Sequence, residues 1–200
     1  MFIVQWWLLT AAAPAAIIYS GLQNVVIPFS VGGLYVNVDT NATRTSQPSD
    51  FAWGPWINLF WGGTKIASND ILPPSVITGT PFAEQVLNHS FGDLLEPMDD
   101  YAADYNGSEL HIGSDLNQFQ LNAPGYIGFQ FDLAGTPRYG WMQIIPNNAS
   151  ADALVVDWAY NTVPSEGIEI GKLDVVPEPG RSLLLLTGLV SLLLHRKRQA

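Results

Sequence analysis

Two stretches of alternating hydrophobicity, 126–133 and 138–145, constrain this chain more than any other feature. In the first, Ile127, Phe129, Phe131 and Leu133 fall on one face. In the second, Tyr139, Trp141, Gln143 and Ile145 share a face, with Met142 and Ile144 opposite. Side chains two residues apart point the same way only in an extended strand, so this period predicts β-structure and argues against helix. Ala134-Gly135-Thr136-Pro137 lies between them, a four-residue loop suited to a hairpin. The expectation is a central antiparallel hairpin, with Ile127, Phe129, Phe131 and Trp141 in the core. Leu154, Val156, Trp158 and Tyr160 share one face of a further strand, which adds Val156 and Trp158 to that core. Ile168 to Lys172 reads as the last strand.

Upstream, short β-type runs at Ile17–Tyr19, Val25–Ile27 and Leu34–Val38 are separated by Gly21, Pro28 and Gly32-Gly33. Asp39 to Asp50 is polar and reads as a loop, and 81–95 fits a short helical turn, a loop or a strand equally well. Many short strands with turn residues between them, and no long helical pattern, predict one all-β domain over 16–175, a β-sandwich or jelly roll.

The two ends read differently. Residues 1–15 are apolar and close on Ala13-Pro14-Ala15, which matches the apolar region and cleavage site of a secretory signal, although no Lys or Arg precedes Arg44. A buried first strand is the alternative. At the other end, Pro177-Glu178-Pro179 is followed by an uncharged run, 182–194, with eight leucines, and then by His195-Arg196-Lys197-Arg198. The prolines hold the triplet extended and accessible, because each fixes φ and lacks an amide donor. As a helix the apolar run would span about 20 Å, short of the about 30 Å hydrocarbon core of a bilayer. A marginal transmembrane helix with its basic end in the cytoplasm is the expectation. A short core helix with a basic cap is the alternative, and leucines on every face argue against it.

Val176-Pro177-Glu178-Pro179, Gly188-Leu189 and Arg196-Lys197-Arg198 resemble, in order and spacing, the PEP-CTERM sorting domain of exported bacterial proteins. His195 stands where that pattern commonly has arginine. The resemblance covers 176–200. It implies recognition, and cleavage near the triplet, by an exosortase, an inner-membrane transpeptidase-like protease of bacteria that make exopolysaccharide. Gly125–Phe129, Tyr139–Trp141, Asp157–Tyr160 and the opening from Ile17 to Val38 resemble the ectodomain of a group of PEP-CTERM proteins. That second resemblance implies no activity and no catalytic residues.

Charge and residue chemistry bound the function. The chain carries 18 acidic against 8 basic residues, a net charge of −10. Arg181, Arg196, Lys197 and Arg198 sit in the tail, which leaves the preceding domain strongly acidic and argues against nucleic acid as a partner. Cysteine is absent, so neither disulfides nor thiol chemistry enters. Asp99, Asp100 and Asp104 read as a solvated acidic loop; Ca²⁺ is the functional alternative, without the EF-hand spacing. Trp53, Trp56 and Trp61 read as core or edge packing, or as stacking surfaces for sugar rings. No serine elbow, P-loop or zinc motif is present, and a carboxylate pair for glycoside hydrolysis cannot be chosen among so many acids. The reading is a non-enzymatic surface or matrix protein with a structural or weakly glycan-binding domain; a secreted polysaccharide hydrolase is the alternative.

Overall fold

A computed structural model describes residues 16–51, 54–67, 75–77, 84–97, 108–148 and 153–173. The signal-like segment and the sorting tail lie outside these residues. The described residues are all-β, without a helix. The strands are β1 (Ile17–Tyr19), β2 (Val25–Val26), β3 (Leu34–Asn37), β4 (Thr43–Arg44), β5 (Trp56–Phe60), β6 (Lys65–Ala67) and β7 (Ser75–Ile77). They continue as β8 (Glu84–Val86), β9 (Leu94–Leu95), β10 (Ser108–Leu110), β11 (Gly125–Leu133), β12 (Thr136–Ile145), β13 (Leu154–Asn161) and β14 (Ile168–Glu169). A first sheet has the order β1-β13-β12-β11, with β2 also on β13; a second runs β4-β3-β5-β6-β10-β8-β7; and β14 pairs with β9 in a small ribbon. Residues Ala16–Leu173 group as one compact unit.

The expected hairpin forms: β11 and β12 pair antiparallel from Gly125↔Ile144 to Leu133↔Thr136. Its position and turn differ from expectation. β12 is interior, and β11 ends the first sheet. The connection is the two-residue turn Ala134–Gly135, both with positive φ (55° and 79°), a type I′ geometry matched to the twist of the flanking strands. Thr136 and Pro137 belong to β12. Proline is tolerated at that place because β12 pairs with β13 only from Gly140 onward, so no ladder donor is needed there.

Alternation sorts side chains into a core shared by both sheets. Ile127, Phe129, Phe131, Met142, Ile144, Trp158 and Tyr160 of the first sheet cluster with Leu34, Val36, Ile57, Leu59, Ile66, Val86 and Leu110 of the second. Phe129 faces Gly140 across the ladder, and its ring occupies the space a Cβ would need: such an atom would lie 2.4 Å from Phe129 Cζ. The opposite face of the first sheet is covered as well. Leu95, Ile168 and Ile170, at and beside the β9–β14 ribbon, pack with Tyr139, Trp141 and Ala159. β12 therefore has apolar contacts on both sides, which explains why Tyr139 and Trp141 are buried along with Met142 and Ile144.

Val156 departs from the expected core. The ladder between β12 and β13 steps from Gln143↔Asp157 to Ile144↔Val155, so Val156 is the extra residue of a β-bulge. The bulge breaks the alternation: Trp158 and Tyr160 stay inward, Val155 takes the core place, and Val156 is half-buried. The freed carbonyl of Val156 accepts the backbone N–H groups of Gln23 (2.8 Å) and Asn24 (3.2 Å). β1 and β2 thus lie along one edge of β13, interrupted opposite the bulge. The expected loop after Asp39 contains β4, and the expected last strand is the short β14, in the ribbon rather than in either main sheet.

Phe129 has no exposed surface. Phe129→Ala would remove the ring that fills the gap over Gly140, and should lower the unfolding free energy by about 3–5 kcal/mol. A chemical denaturation midpoint unchanged from wild type would contradict this packing.

Candidate functional site

The three tryptophans singled out in the sequence separate. Trp53 lies outside the described residues, as do Asp99, Asp100, Asp104, Pro177, Glu178, Pro179, Arg196, Lys197 and Arg198. Trp56 is only 3% exposed. It opposes Asn37 across β3 and β5 and clusters with Tyr35 and Phe51, with the Arg44 guanidinium 5.8 Å from its ring centroid. A ring enclosed in this way presents no face to a sugar, so packing is the role of Trp56 and the stacking expectation is corrected there.

Trp61 is different. It follows β5, at the start of the turn Trp61-Gly62-Gly63-Thr64, and remains 37% exposed. Its φ is +50°, a left-handed conformation that a bulky side chain seldom adopts. The surroundings hold it there. Trp61 N–H donates to Ser30 O at 3.1 Å, and Thr64 Oγ1 donates to Trp61 O at 2.9 Å. Gly62 N–H donates to Pro28 O and Gly62 O accepts from Asn147 N. At Gly62, with φ +64°, a Cβ would stand 2.0 Å from Asn147 O, so only glycine fits beside Trp61. The ring of Phe29, itself exposed, meets Trp61 edge-on at 5.3 Å, and exposed Val31 lies two residues further on. The result is a solvent-facing aromatic pair on a fixed backbone.

A second cluster lies on the outward face of the first sheet. Tyr126 of β11, Gln143 of β12 and Asp157 of β13 stand in one row across the ladder. The Tyr19 hydroxyl of β1 donates to Asp157 Oδ2 at 2.7 Å, and Gln143 Nε2 donates to the Tyr126 hydroxyl at 2.9 Å. Tyr126 packs edge-on to Trp141 at 5.7 Å, and Tyr19 lies tilted at 6.5 Å from the same ring. Asp157 Oδ1 and Trp141 Nε1 are both buried without a hydrogen-bond partner. Uncompensated polar atoms of this kind are infrequent and concentrate at working sites.

The electrostatics follow from the geometry. Burial raises the Asp157 carboxyl above its usual range, and the Tyr19 hydrogen bond opposes the rise. Burial, the hydrogen bond to Asp157 and the Asp157 charge together push the Tyr19 hydroxyl up to about 12. Tyr126 is raised by burial and then by Asp157, with the Gln143 hydrogen bond opposing. Sequence reading missed this cluster. Alternation placed Gln143 on the face of Tyr139 and Trp141, but nothing local indicates that Asp157 flanks it or that Tyr19 arrives from a distant strand.

Among the described residues no group of three or more His, Cys, Asp or Glu side chains comes together to hold a metal ion. Also among them, no helix is long and apolar enough to cross a membrane.

A raised carboxyl means that the folded state holds its proton more tightly than the unfolded state does. The contribution of Asp157 to stability is therefore full below its ordinary value of 3.8 and is lost as pH rises through the higher folded value. Asp157→Asn removes that titration. From pH 3.8 toward neutrality, wild-type stability should fall relative to the variant, read by urea denaturation at a series of pH values. Parallel profiles would contradict a desolvated Asp157. Compared with known protein families, curated proteins and solved structures, the chain finds no match.

Proposed function

We propose that this chain is an exported cell-surface or exopolysaccharide-matrix protein whose domain, a two-sheet β-sandwich over 16–175, binds polysaccharide weakly and without catalysis. The observation that carries the binding reading is Trp61: a large aromatic ring kept in solvent by a strained, hydrogen-bonded turn and widened by Phe29. Burial is the usual fate of a tryptophan in a small β domain. Holding one outward in a costly conformation is what a stacking surface requires, since the apolar face of a pyranose packs on an aromatic ring and its hydroxyls remain in water.

The route to the surface rests on the resemblance of 176–200 to a PEP-CTERM tail. In this reading residues 1–15 are the export signal and 182–194 a short membrane helix. The precursor is held with its C-terminus inside, and an exosortase cleaves near Pro177-Glu178-Pro179. An acidic domain released into the matrix stays soluble there through its net charge. The hydrolase alternative needs two facing carboxyls. The hydrogen-bond partner of Asp157 is a tyrosine, not a second carboxyl.

Two outcomes follow. In gels containing a neutral polysaccharide, wild-type protein should be retarded, and Trp61→Ala should lose about tenfold in apparent affinity, equivalent to about 1.4 kcal/mol. Equal mobility of wild type and variant, with and without polysaccharide, would contradict the stacking role. The mature protein from an exosortase-bearing host should lack Ser182 to Ala200 by intact mass. Retention of Arg196, Lys197 and Arg198 would favour a simple membrane anchor.

A further inference from the structure

We infer that the Tyr19–Asp157 cluster is a second glycan subsite and takes a protonated amine, so that the polysaccharide is an amino sugar polymer with free amino groups. This inference rests on the glycan reading above and names its ligand class.

The first support is unfilled bonding capacity. Asp157 presents a carboxylate of which only Oδ2 has a donor, from Tyr19, while Oδ1 has none. Gln143 gives its amide N–H to Tyr126, which leaves its Oε1 as a further acceptor. An ammonium group offers three N–H donors and no acceptor, and so matches a carboxylate plus an amide oxygen. A neutral hydroxyl brings a single donor and no charge, and leaves the desolvated carboxylate uncompensated. The walls are aromatic: Tyr126 and Tyr19 both pack on Trp141, and aromatic rings favour a nearby cation.

Access is through Tyr19. It stands on β1 at the edge of the sheet and is 37% exposed. Rotation of its side chain into solvent opens the approach to the carboxylate, and the incoming ammonium bonds the unpartnered Oδ1 and replaces the tyrosine hydroxyl at Oδ2.

The second support is the charge of the whole domain. Its four basic side chains are all engaged internally. Lys65 pairs with Glu109 at 2.8 Å, and Lys172 pairs with Glu169. Arg44 lies over Trp56, and Arg138 Nη1 donates to Thr136 and Pro137 of its own strand. The exposed field is therefore anionic. It repels uronic-acid polymers and attracts cationic ones, as complementary potentials do in general.

The test measures binding of the protein to three oligosaccharides of equal length: glucosamine, N-acetylglucosamine and galacturonate oligomers, at pH 5.5 and low salt. The glucosamine oligomer should bind about tenfold more tightly than its N-acetylated counterpart, and the galacturonate oligomer should not bind. Asp157→Asn should abolish the preference for the free amine, and Tyr19→Phe should keep it. Equal affinity of wild type for the first two oligomers would overturn the amine subsite and leave the glycan reading standing. So would a preference that survives in Asp157→Asn, which would assign it to net charge alone. Failure of all three to bind would overturn both readings.

Discussion

The hydrogen bond from Trp158 Nε1 to the Val38 carbonyl, at 3.1 Å, is the contact on which the rest of the structure depends. Trp158 is 1% exposed and belongs to β13, whereas Val38 follows β3 in the other sheet. An indole N–H buried in an apolar core needs an acceptor, and leaving it without one costs about 1–3 kcal/mol. Burying this ring with that bond made holds β13 of the first sheet against the end of β3 in the second. Tyr160 repeats the arrangement two residues on: its hydroxyl donates to Asp39 at 2.7 Å, and burial, then that bond, raises its titration. Two successive inward residues of β13 thus tie the first sheet to the end of β3. The Asx turn of Asn37, whose Oδ1 accepts from Asp39 and Thr40 N–H, shapes the loop that receives them.

The backbone of Trp158 points the other way. Its N–H donates to Ser20 Oγ and its carbonyl accepts from Ser20 N–H, and the Val156 carbonyl takes Gln23 and Asn24. The bulge therefore does more than displace Val156 from the core. It arrests the chain between β1 and β2 and so fixes Tyr19 where its hydroxyl meets Asp157. Packing inside the domain and the polar row outside it share one cause, an extra residue in one strand.

What the sequence disclosed follows the physics of each element. Phe129, Phe131 and Ile127 were legible because a nine-residue strand gives four repeats of a period of two. The strands β2, β4, β9 and β14, with two residues each, are too short to show any period, and they exist only through their partners. The bulge was invisible, since Val155 and Val156 are the same residue type and only the ladder decides which turns inward. Pro137 misled the turn assignment, because proline signals a loop in general and here stands at a strand end that pairs with Asp132 of β11 on one side and has no strand on the other. Trp61 and Trp56 looked alike; the Gly62-Gly63 that follows Trp61 was the local sign of an exposed turn. The Asp157 cluster joins three consecutive strands to Tyr19, 138 residues before Asp157, so no local pattern could assemble it.

The proposed binding is decided by where a glycan touches this domain. Amide hydrogen exchange followed by mass spectrometry, with and without a saturating glucosamine oligomer, locates that contact directly. Peptides covering 17–31, 60–64 and 154–159 should gain protection, and those covering the β3–β4 loop should not change. Protection absent everywhere, or confined to segments away from Trp61 and Asp157, would contradict a glycan-binding domain of this design.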